Sequence, residues 1–504
     1  MDDLTPAPVP GSTPCGEADD ARRVVKLGII SAALYLATQL LLSRLVQLGT
    51  ATVPPTWRVQ ALPWLAVLLL AYAVAILVTT WAYVCVVKLA EHKLLRSQRA
   101  RSLALALPVG LQILLLCWPP LLSQDVFSYL GHGLLASLPG GNPLLQPVQA
   151  IRGSSFAAAF ASVGWNTWPG ITPYGILWTR VEIAVATLCG THVLIGAYVF
   201  KALAALASLA TGRLIWDVLG RLRPEVQLQG TLLYLWNPLV LFAFAAEGHN
   251  DSLMILLSVA ALSLLIRARL TASVFVQLLG VLTKYYCMLF MPAQLALSWR
   301  NRRQLRHPAL QVAAAFCAAA VVLVVLYAPY WEGTRSLQGV LERGYPYGAV
   351  TFVGVLRWLA RHTDLQPSAD LLAQGVAALA LLACVLWWMR RVRTAADYAA
   401  SCAWIALAFA LVFSPDYWSW YACMPLAWIA VGEPRRLQWL ALLLTVCGRL
   451  TDPLNVLRLQ GWVSWNVSKG LTTALGALLP LMILLAWSAR RRWLSGSPAL
   501  RGAA

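Results

Sequence analysis

The sequence predicts an all-α, polytopic transmembrane helical bundle, and three observations carry that expectation. Of its 504 residues, 60% are hydrophobic and only 12% are charged, about half the charged share of a soluble protein. Apolar stretches of about 20 residues recur along the whole chain, each long enough to cross a hydrocarbon core of roughly 30 Å. Leu, Ala and Val dominate these stretches without the alternation of a strand, so the spanning element is the helix.

The charge balance is 39 basic against 20 acidic residues, a net +19. An excess of that size would suit a nucleic-acid partner, but its placement argues against one. The basic runs lie between apolar segments, at Arg22-Arg23, Lys88 to Arg101, Arg221 to Arg223, Arg300 to Arg306, Arg390 to Arg393, Arg435-Arg436 and Arg490 to Arg492. That is the positive-inside pattern, and no basic stripe carries interleaved aromatics. The ten cysteines are scattered, mostly inside apolar segments, with no C-x-x-C pair. They read as small core residues rather than metal ligands or disulfides.

Residues 1–21 are polar and proline-bearing, expected as a disordered cytoplasmic tail. No cleavable signal is expected, because the first apolar run begins near Leu27 behind an acidic start. Apolar spans follow near 24–48, 61–87 and 102–120. The stretch 121–190 breaks the pattern with Pro139, Pro143, Pro147, Pro169, Pro173 and many glycines. Counting 176–189 as a span would put Arg221 to Arg223 outside, so it reads as a helix lying at the outer interface. Further segments lie near 192–218, 228–246, 250–267, 271–283, 285–298, 308–328, 370–390, 397–413, 418–432, 436–451 and 471–490. The pieces flanking Lys284 are short enough to be two half-helices meeting at a break, which at membrane depth implies a cavity. The expected sum is about 13–14 membrane segments within 22–490, with both termini inside and 491–504 a cytoplasmic tail. This topology puts the polar elements on the outer face. They are the loops 121–190, 329–369 and 452–469, the Glu247–Asp251 turn, the Lys284 break and the Ser414–Tyr421 turn.

Four features could carry chemistry there. Asp125, in Ser123-Gln124-Asp125-Val126-Phe127-Ser128-Tyr129, stands where the third span exits. A carboxylate at that depth needs a task or a partner, though a helix cap would serve as well. Glu247-Gly248-His249-Asn250-Asp251 joins two apolar spans; a tight turn explains Gly248 and Asn250 but not two carboxylates and a histidine together. Lys284 either snorkels to the interface or holds a phosphate as a point charge. The 23 tryptophans, Trp165, Trp168, Trp178, Trp331, Trp418, Trp420, Trp462 and Trp465 among the outer ones, form an interfacial belt from which some could stack on sugars. No nucleotide-binding loop or Rossmann fingerprint is present. A carboxylate and cations at a membrane mouth then suggest group transfer from a lipid phosphate.

The motifs resemble those of bacterial GT-C glycosyltransferases, above all the polyprenol-phosphate-mannose-dependent alpha-mannosyltransferases of the cell envelope. The resemblance runs in order from Gln124-Asp125-Val126-Phe127-Ser128-Tyr129, His132-Gly133 and Gly141-Asn142-Pro143 to Thr172-Pro173-Tyr174-Gly175-Ile176-Leu177-Trp178. It continues through Asn237-Pro238-Leu239-Val240, Gly248-His249-Asn250-Asp251, Lys284-Tyr285 and Trp420-Tyr421. Ile176 stands where the family has proline, and residues 1–60 and 450–504 offer no match. The resemblance implies a GT-C-type bundle and an inverting transfer at the outer face, with Asp125 as general base. It implies Gln124, His132, Asn142, Tyr174, Glu247, His249, Asn250, Asp251, Lys284, Tyr285, Trp420 and Tyr421 as donor- or substrate-binding residues. Lys284, His249 and an outer-loop arginine, Arg335 or Arg343, would steady the leaving phosphate. Expected partners are a polyprenyl-phosphate-sugar donor, a lipid- or glycan-linked acceptor and membrane lipid. No cofactor or metal site is implied, although Asp125, Glu247 and Asp251 leave room for a weakly held divalent cation. The rival readings are a secondary transporter or flippase, which the lack of a visible repeat disfavours, and a lipid-carrier ligase or polymerase of surface polysaccharide.

Overall fold

A computed structural model describes residues 14–48, 55–163, 165, 170–303, 305–341, 351–361, 368–414 and 416–496. Among these residues the elements are helices joined by turns. Nine helices of the described residues are long and apolar enough to cross a membrane, or ten if the bent pair Pro224–Leu235 and Pro238–Ala246 forms one span. Two shorter apolar helices, Asp251–Ile266 and Leu270–Thr283, complete the central region. The expected count was higher because composition cannot see where a helix stops. The expected segments at 285–298 and 418–432 each contain a ten-residue helix, Met291–Arg300 and Cys423–Gly432, entered through a 3-10 turn. At 1.5 Å per residue, ten residues cover about half of a bilayer core.

Three boundaries need correcting. The first helix begins at Pro14, so residues 14–21 are helical rather than disordered. The last helix, Leu479–Gly496, runs past Arg490 into the expected C-terminal tail. The expected outer loop 452–469 is largely helical, in Asp452–Leu459 and Trp465–Thr473.

The polar ends of the bundle are built by breaks in its helices. Asn237 caps the turn that bends the chain by 48°: its Oδ1 accepts from the amides of Leu239 (3.0 Å) and Val240 (3.3 Å), while its Nδ2 donates to Thr445 Oγ1 (2.8 Å) and Tyr83 Oη (3.2 Å). Pro238 follows at the first helical position, where its missing N–H costs nothing. Lys284 adopts an extended conformation that ends helix Leu270–Thr283. The freed Thr283 carbonyl takes the amide of Gly175 (3.1 Å). Gly175 is required there, since a Cβ would stand 2.1 Å from the Leu282 carbonyl oxygen. Thus the start of helix Ile176–Cys189 is seated on the Lys284 break.

Lys201, within helix Val193–Leu222, is fully buried. Its ammonium donates to the carbonyls of Leu115 and Leu116, both at 3.2 Å, and to that of Trp118. These carbonyls end helix Gln98–Leu116, where unpaired acceptors and the negative pole of the helix call for a cation. The chain then leaves the bundle toward Asp125 in a fixed direction.

Replacing Lys201 with methionine keeps the length of the side chain but strips these carbonyls of their donor. Hydrogen bonds to charged groups contribute about 1.5–3 kcal/mol each way of counting, so Lys201→Met should lower the thermal midpoint of the detergent-solubilised protein by several degrees. An unchanged midpoint would show that Lys201 does not anchor this exit.

Candidate active site

The site assembles where the exit at 121–125, the Glu247–Asp251 turn, the Lys284 break and the Ser414–Tyr421 turn meet. Its anchor is Glu247, almost completely buried. Its carboxylate accepts the amides of Leu121 (3.2 Å), Leu122 (3.0 Å) and Ser123 (2.9 Å). Burial raises its pKa, and the amide bonds pull against that rise. Glu247 therefore fixes the backbone leading to Asp125. Gly248 makes the turn possible. It has φ +74°, and a Cβ there would meet Val126 Cγ1 at 2.7 Å.

Asp125 opens helix Asp125–Leu135. Its Oδ2 lies 3.1 Å from His249 Nδ1 and 3.5 Å from the Tyr129 hydroxyl, and its amide donates to Ser123 Oγ (3.2 Å). Its side chain is 28% exposed, whereas that of His249 is 1% exposed. Burial works to raise the Asp125 pKa, but the hydrogen bond and charge of His249, the charge of Lys284 and the Ser123 hydroxyl outweigh it. The carboxyl is held below its ordinary range and stays ionised at neutral pH. One oxygen is thus committed to the histidine, in a carboxylate that still reaches solvent.

An aromatic column backs the pair. His249 stacks on Trp420 at 3.9 Å between ring centroids, and Trp420 stacks on Trp418 at 4.8 Å. The column is pinned by two ion pairs absent from the sequence reading. Lys469 reaches Asp416 (2.9 Å) and the Tyr417 carbonyl (3.0 Å), with its ammonium over the Trp418 ring. Arg449 pairs with Asp452, which also accepts from Tyr72 (3.1 Å) and Ser419 (3.5 Å). Sequence offered one signal for these residues. A lysine or arginine inside an apolar run is a functional hypothesis by default, and Lys201, Arg449 and Lys469 each qualify.

The remaining expected residues divide. Lys284 is buried and bonded to Asp251 (2.8 Å), with Asn250 Oδ1 at 3.5 Å and the Tyr286 and Tyr421 rings within 5.5 Å and 5.1 Å. Its charge is therefore matched inside the protein by Asp251, and it holds the Asn250-Asp251 end of the turn. Tyr174 stacks edge-on against Tyr129 (5.2 Å), and its carbonyl accepts from the Tyr285 hydroxyl (3.3 Å). Asn142 donates to the Tyr330 carbonyl (3.0 Å) and Glu332 (3.1 Å), tying the 121–190 loop to the segment after helix Pro308–Tyr327. Trp165 and Trp178 are buried in an aromatic core with Phe160 and Tyr129, so neither is a sugar platform. Gln124 precedes the helix without capping it through its side chain. Arg335 is exposed on a 3-10 turn, Gly333–Leu337, with no contact that joins it to Asp125. Arg343 and Trp168 lie outside the described residues. Among the described residues, no group of three His, Cys, Asp or Glu side chains could hold a metal ion.

His132 is drawn away from the site. Its Nε2 contacts the Gly170 carbonyl (3.1 Å) and its Nδ1 lies 3.8 Å from Glu182, which is completely buried. Burial pushes the Glu182 carboxyl up to about 7, with His132 and Trp178 pulling against it.

The fold and this site together define a polytopic helical membrane protein with a carboxylate–histidine pair at the turns joining its helices. Residues 25–301, more than half of the chain, match the family described as alpha-(1->6)-mannopyranosyltransferase, N-terminal domain, and the chain belongs to that family. It is also similar to alpha-(1->6)-mannopyranosyltransferase A of Mycobacterium tuberculosis (strain ATCC 25618 / H37Rv), at 25% identity over 348 residues. The match covers 63% of each chain, so the alignment spans under two thirds of that relative's length. The resemblance read from the motifs is borne out at the level of the family.

The Glu182 carboxyl makes a pH-dependent contribution whose sign is fixed. Its folded-state pKa of about 7 exceeds the ordinary 4.5, so the native state holds its proton more tightly than the unfolded chain. The penalty is absent below 4.5, grows as pH rises through that window and is complete above about 7. The thermal midpoint of the wild type should therefore fall, relative to Glu182→Gln, between those two pH values. A difference that stays constant across the window would remove Glu182 as its source.

Proposed function

We propose that the protein is an inverting mannosyltransferase. It takes mannose from a polyprenyl phosphate and places it on a lipid- or glycan-linked acceptor at the outer face of a bacterial plasma membrane. Family membership supports the transfer of mannose. The observation that carries the mechanism is Asp125: partly exposed, ionised, and held by His249 on one oxygen.

In this reading the acceptor hydroxyl lies against the Asp125 carboxylate. As the acceptor oxygen attacks the anomeric carbon, its proton passes to Asp125. The bond from that carbon to the phosphate oxygen breaks on the opposite side, and polyprenyl phosphate leaves with both electrons. A beta-linked donor thereby gives an alpha-linked product. His249 orients the base and keeps it ionised; the Trp420–Trp418 column supports the histidine ring from behind. The leaving phosphate gains negative charge and needs a fixed cation. Because Lys284 is balanced by Asp251, an arginine of the outer elements suits that task better. The mechanism calls on no cofactor.

Two measurements test this. Membranes containing the protein, incubated with labelled polyprenyl-phosphate-mannose, should form a mannosylated acceptor and free polyprenyl phosphate. Asp125→Asn should lose roughly 10²–10⁴-fold in rate, the usual share of base catalysis, while inserting and purifying normally. Asn ranks with Asp as a helix cap, so near-normal transfer by this variant would reduce Asp125 to a cap. Movement of the intact substrate across sealed vesicles, without cleavage, would favour a transporter instead.

The outer placement is tested separately at Ser155, exposed at the start of helix Ser155–Ser162. In a background lacking the ten native cysteines, Ser155→Cys should react with an impermeant maleimide in intact cells. Reaction only after permeabilisation would invert the topology.

A further inference from the structure

A cavity lies beside the site, on the flank of the bundle. It is an open slot of about 690 Å³, within the range of ligand cavities, roughly 300–1,000 Å³. Ile176, Leu282, Tyr285, Val324, Tyr327 and Trp331 are among its lining residues, and the lining is overwhelmingly apolar. Four elements form it: the start of helix Ile176–Cys189, the end of helix Leu270–Thr283 with the Lys284 break, the turns from Ala328 to Leu337, and helix Pro308–Tyr327. The last of these is peripheral. Only 11% of its most apolar window is buried against the protein, so its other faces are free to meet lipid, and the slot can be entered sideways from the bilayer.

The inner end of the slot is connected to the catalytic carboxylate. Tyr285 lines it and donates to the Tyr174 carbonyl (3.3 Å). The Tyr174 ring packs on Tyr129 (5.2 Å), and Tyr129 reaches Asp125 (3.5 Å). Its rim carries positive charge. Arg180 donates through Nε to the Leu326 carbonyl (3.0 Å) and lies over the Tyr330 ring, its Cζ 5.0 Å from the centroid. That bond commits one of five guanidinium donors. Arg335 is exposed on the neighbouring 3-10 turn. The adjacent carboxylate, Glu332, accepts from Asn142 instead. An apolar slot, open to lipid, with arginines at its rim and a path to the base, matches an amphiphile with a long hydrocarbon chain and an anionic head.

We propose that this slot receives the isoprenoid chain of the lipid-linked donor, with Arg180 beside its phosphate. The assignment rests on the donor reading above and adds to it where the lipid enters and which cation meets the head. It also accounts for the position of the Lys284 break: the break ends the helix at the depth where chain gives way to phosphate and seats Gly175, and with it the slot wall, against Thr283.

The test compares two donors, mannosyl phosphate on a long polyprenyl chain and on a geranyl chain, with protein in phosphatidylcholine nanodiscs. Val324→Trp and Leu282→Trp should raise KM for the long donor at least roughly tenfold, the worth of about two methylenes kept out of the slot. The same change at Leu371, an exposed residue of helix Ser368–Met389 outside the slot, should leave KM for both donors within about twofold. Arg180→Gln should weaken binding of polyprenyl phosphate while leaving that of uncharged polyprenol unaltered. In the wild-type protein, a long-chain polyprenyl phosphate bearing a terminal benzophenone should label residues of the slot, and the mannosyl donor should compete. Equal labelling of the slot by a benzophenone phosphatidylcholine, or unchanged KM values with labelling elsewhere, would overturn the assignment while leaving the donor reading intact. Failure of every polyprenyl-phosphate-mannose to be used, whatever its chain length, would sink the donor reading and the slot with it.

Discussion

Charge taken out of water has to be matched, and the polar end of this bundle is organised by that constraint. Asp125 is matched by His249, Asp251 by Lys284, Asp416 by Lys469 and Asp452 by Arg449. Glu247 is matched by three backbone amides. Breaking one such pair strands a buried charge, which costs far more than the pair contributes when whole. The pairs also join elements distant in sequence, so they fix geometry rather than simply adding stability. Asp452 touches Tyr72 from the second span and Ser419 from a late turn. Lys201 does the same without a carboxylate, by gathering the carbonyls where a helix ends. The consequence falls on Asp125, whose position is set by a histidine, a caged backbone and a closed helix end. It alone among these carboxylates keeps a substantial exposed fraction.

The helices themselves bend to make room for these turns. Phe242–Ala246, Phe409–Phe413 and Ala474–Leu478 are π-helical turns. A π turn inserts a residue into the helical ladder and is often found at functional positions. The first delivers Glu247 and the second delivers Ser414 and Asp416. The third packs against the second. Each costs some regular hydrogen bonding within an apolar interior, a cost that the local ion pairs help to offset. Residues from 414 onward supply the Trp418–Trp420 column, so the site combines the family-matched stretch 25–301 with later helices.

What could be read from the sequence follows from what hydropathy and short motifs encode. The all-helical bundle was legible because lipid leaves a spanning chain few alternatives. Asp125, His249 and Lys284 were legible because each stands at the end of an apolar run in a short polar motif. The break at Lys284 was also readable, from the shortness of its flanking pieces. Partnership was not readable. Nothing local says that Glu247 turns back to three amides more than 120 residues earlier, or that Asn142 reaches residues 330 and 332. Lys284 looked like a spare cation because its partner, Asp251, lies 33 positions away. The segment count was overestimated for a related reason: a 3-10 entry shortens a helix without altering its composition.

The pairing of Lys284 bears on how the chemistry is divided. A general base must be ionised, and a leaving phosphate needs positive charge that is not already spent. Had Lys284 faced the site unpaired, one residue could have served both ends, lowering the Asp125 pKa and meeting the phosphate. Paired with Asp251, it still contributes to keeping Asp125 ionised, but its field at longer range is largely cancelled by its partner. The two demands are therefore met in different places. The base is tuned from within by His249, deep in the bundle and shielded by Trp420. On the proposed donor reading, the phosphate is better met at the periphery, where arginines can reach a head group that arrives with its chain in lipid. On the proposed reading, a base tuned by its own histidine leaves the peripheral arginines free for the phosphate, and separation of the two anions weakens their mutual repulsion.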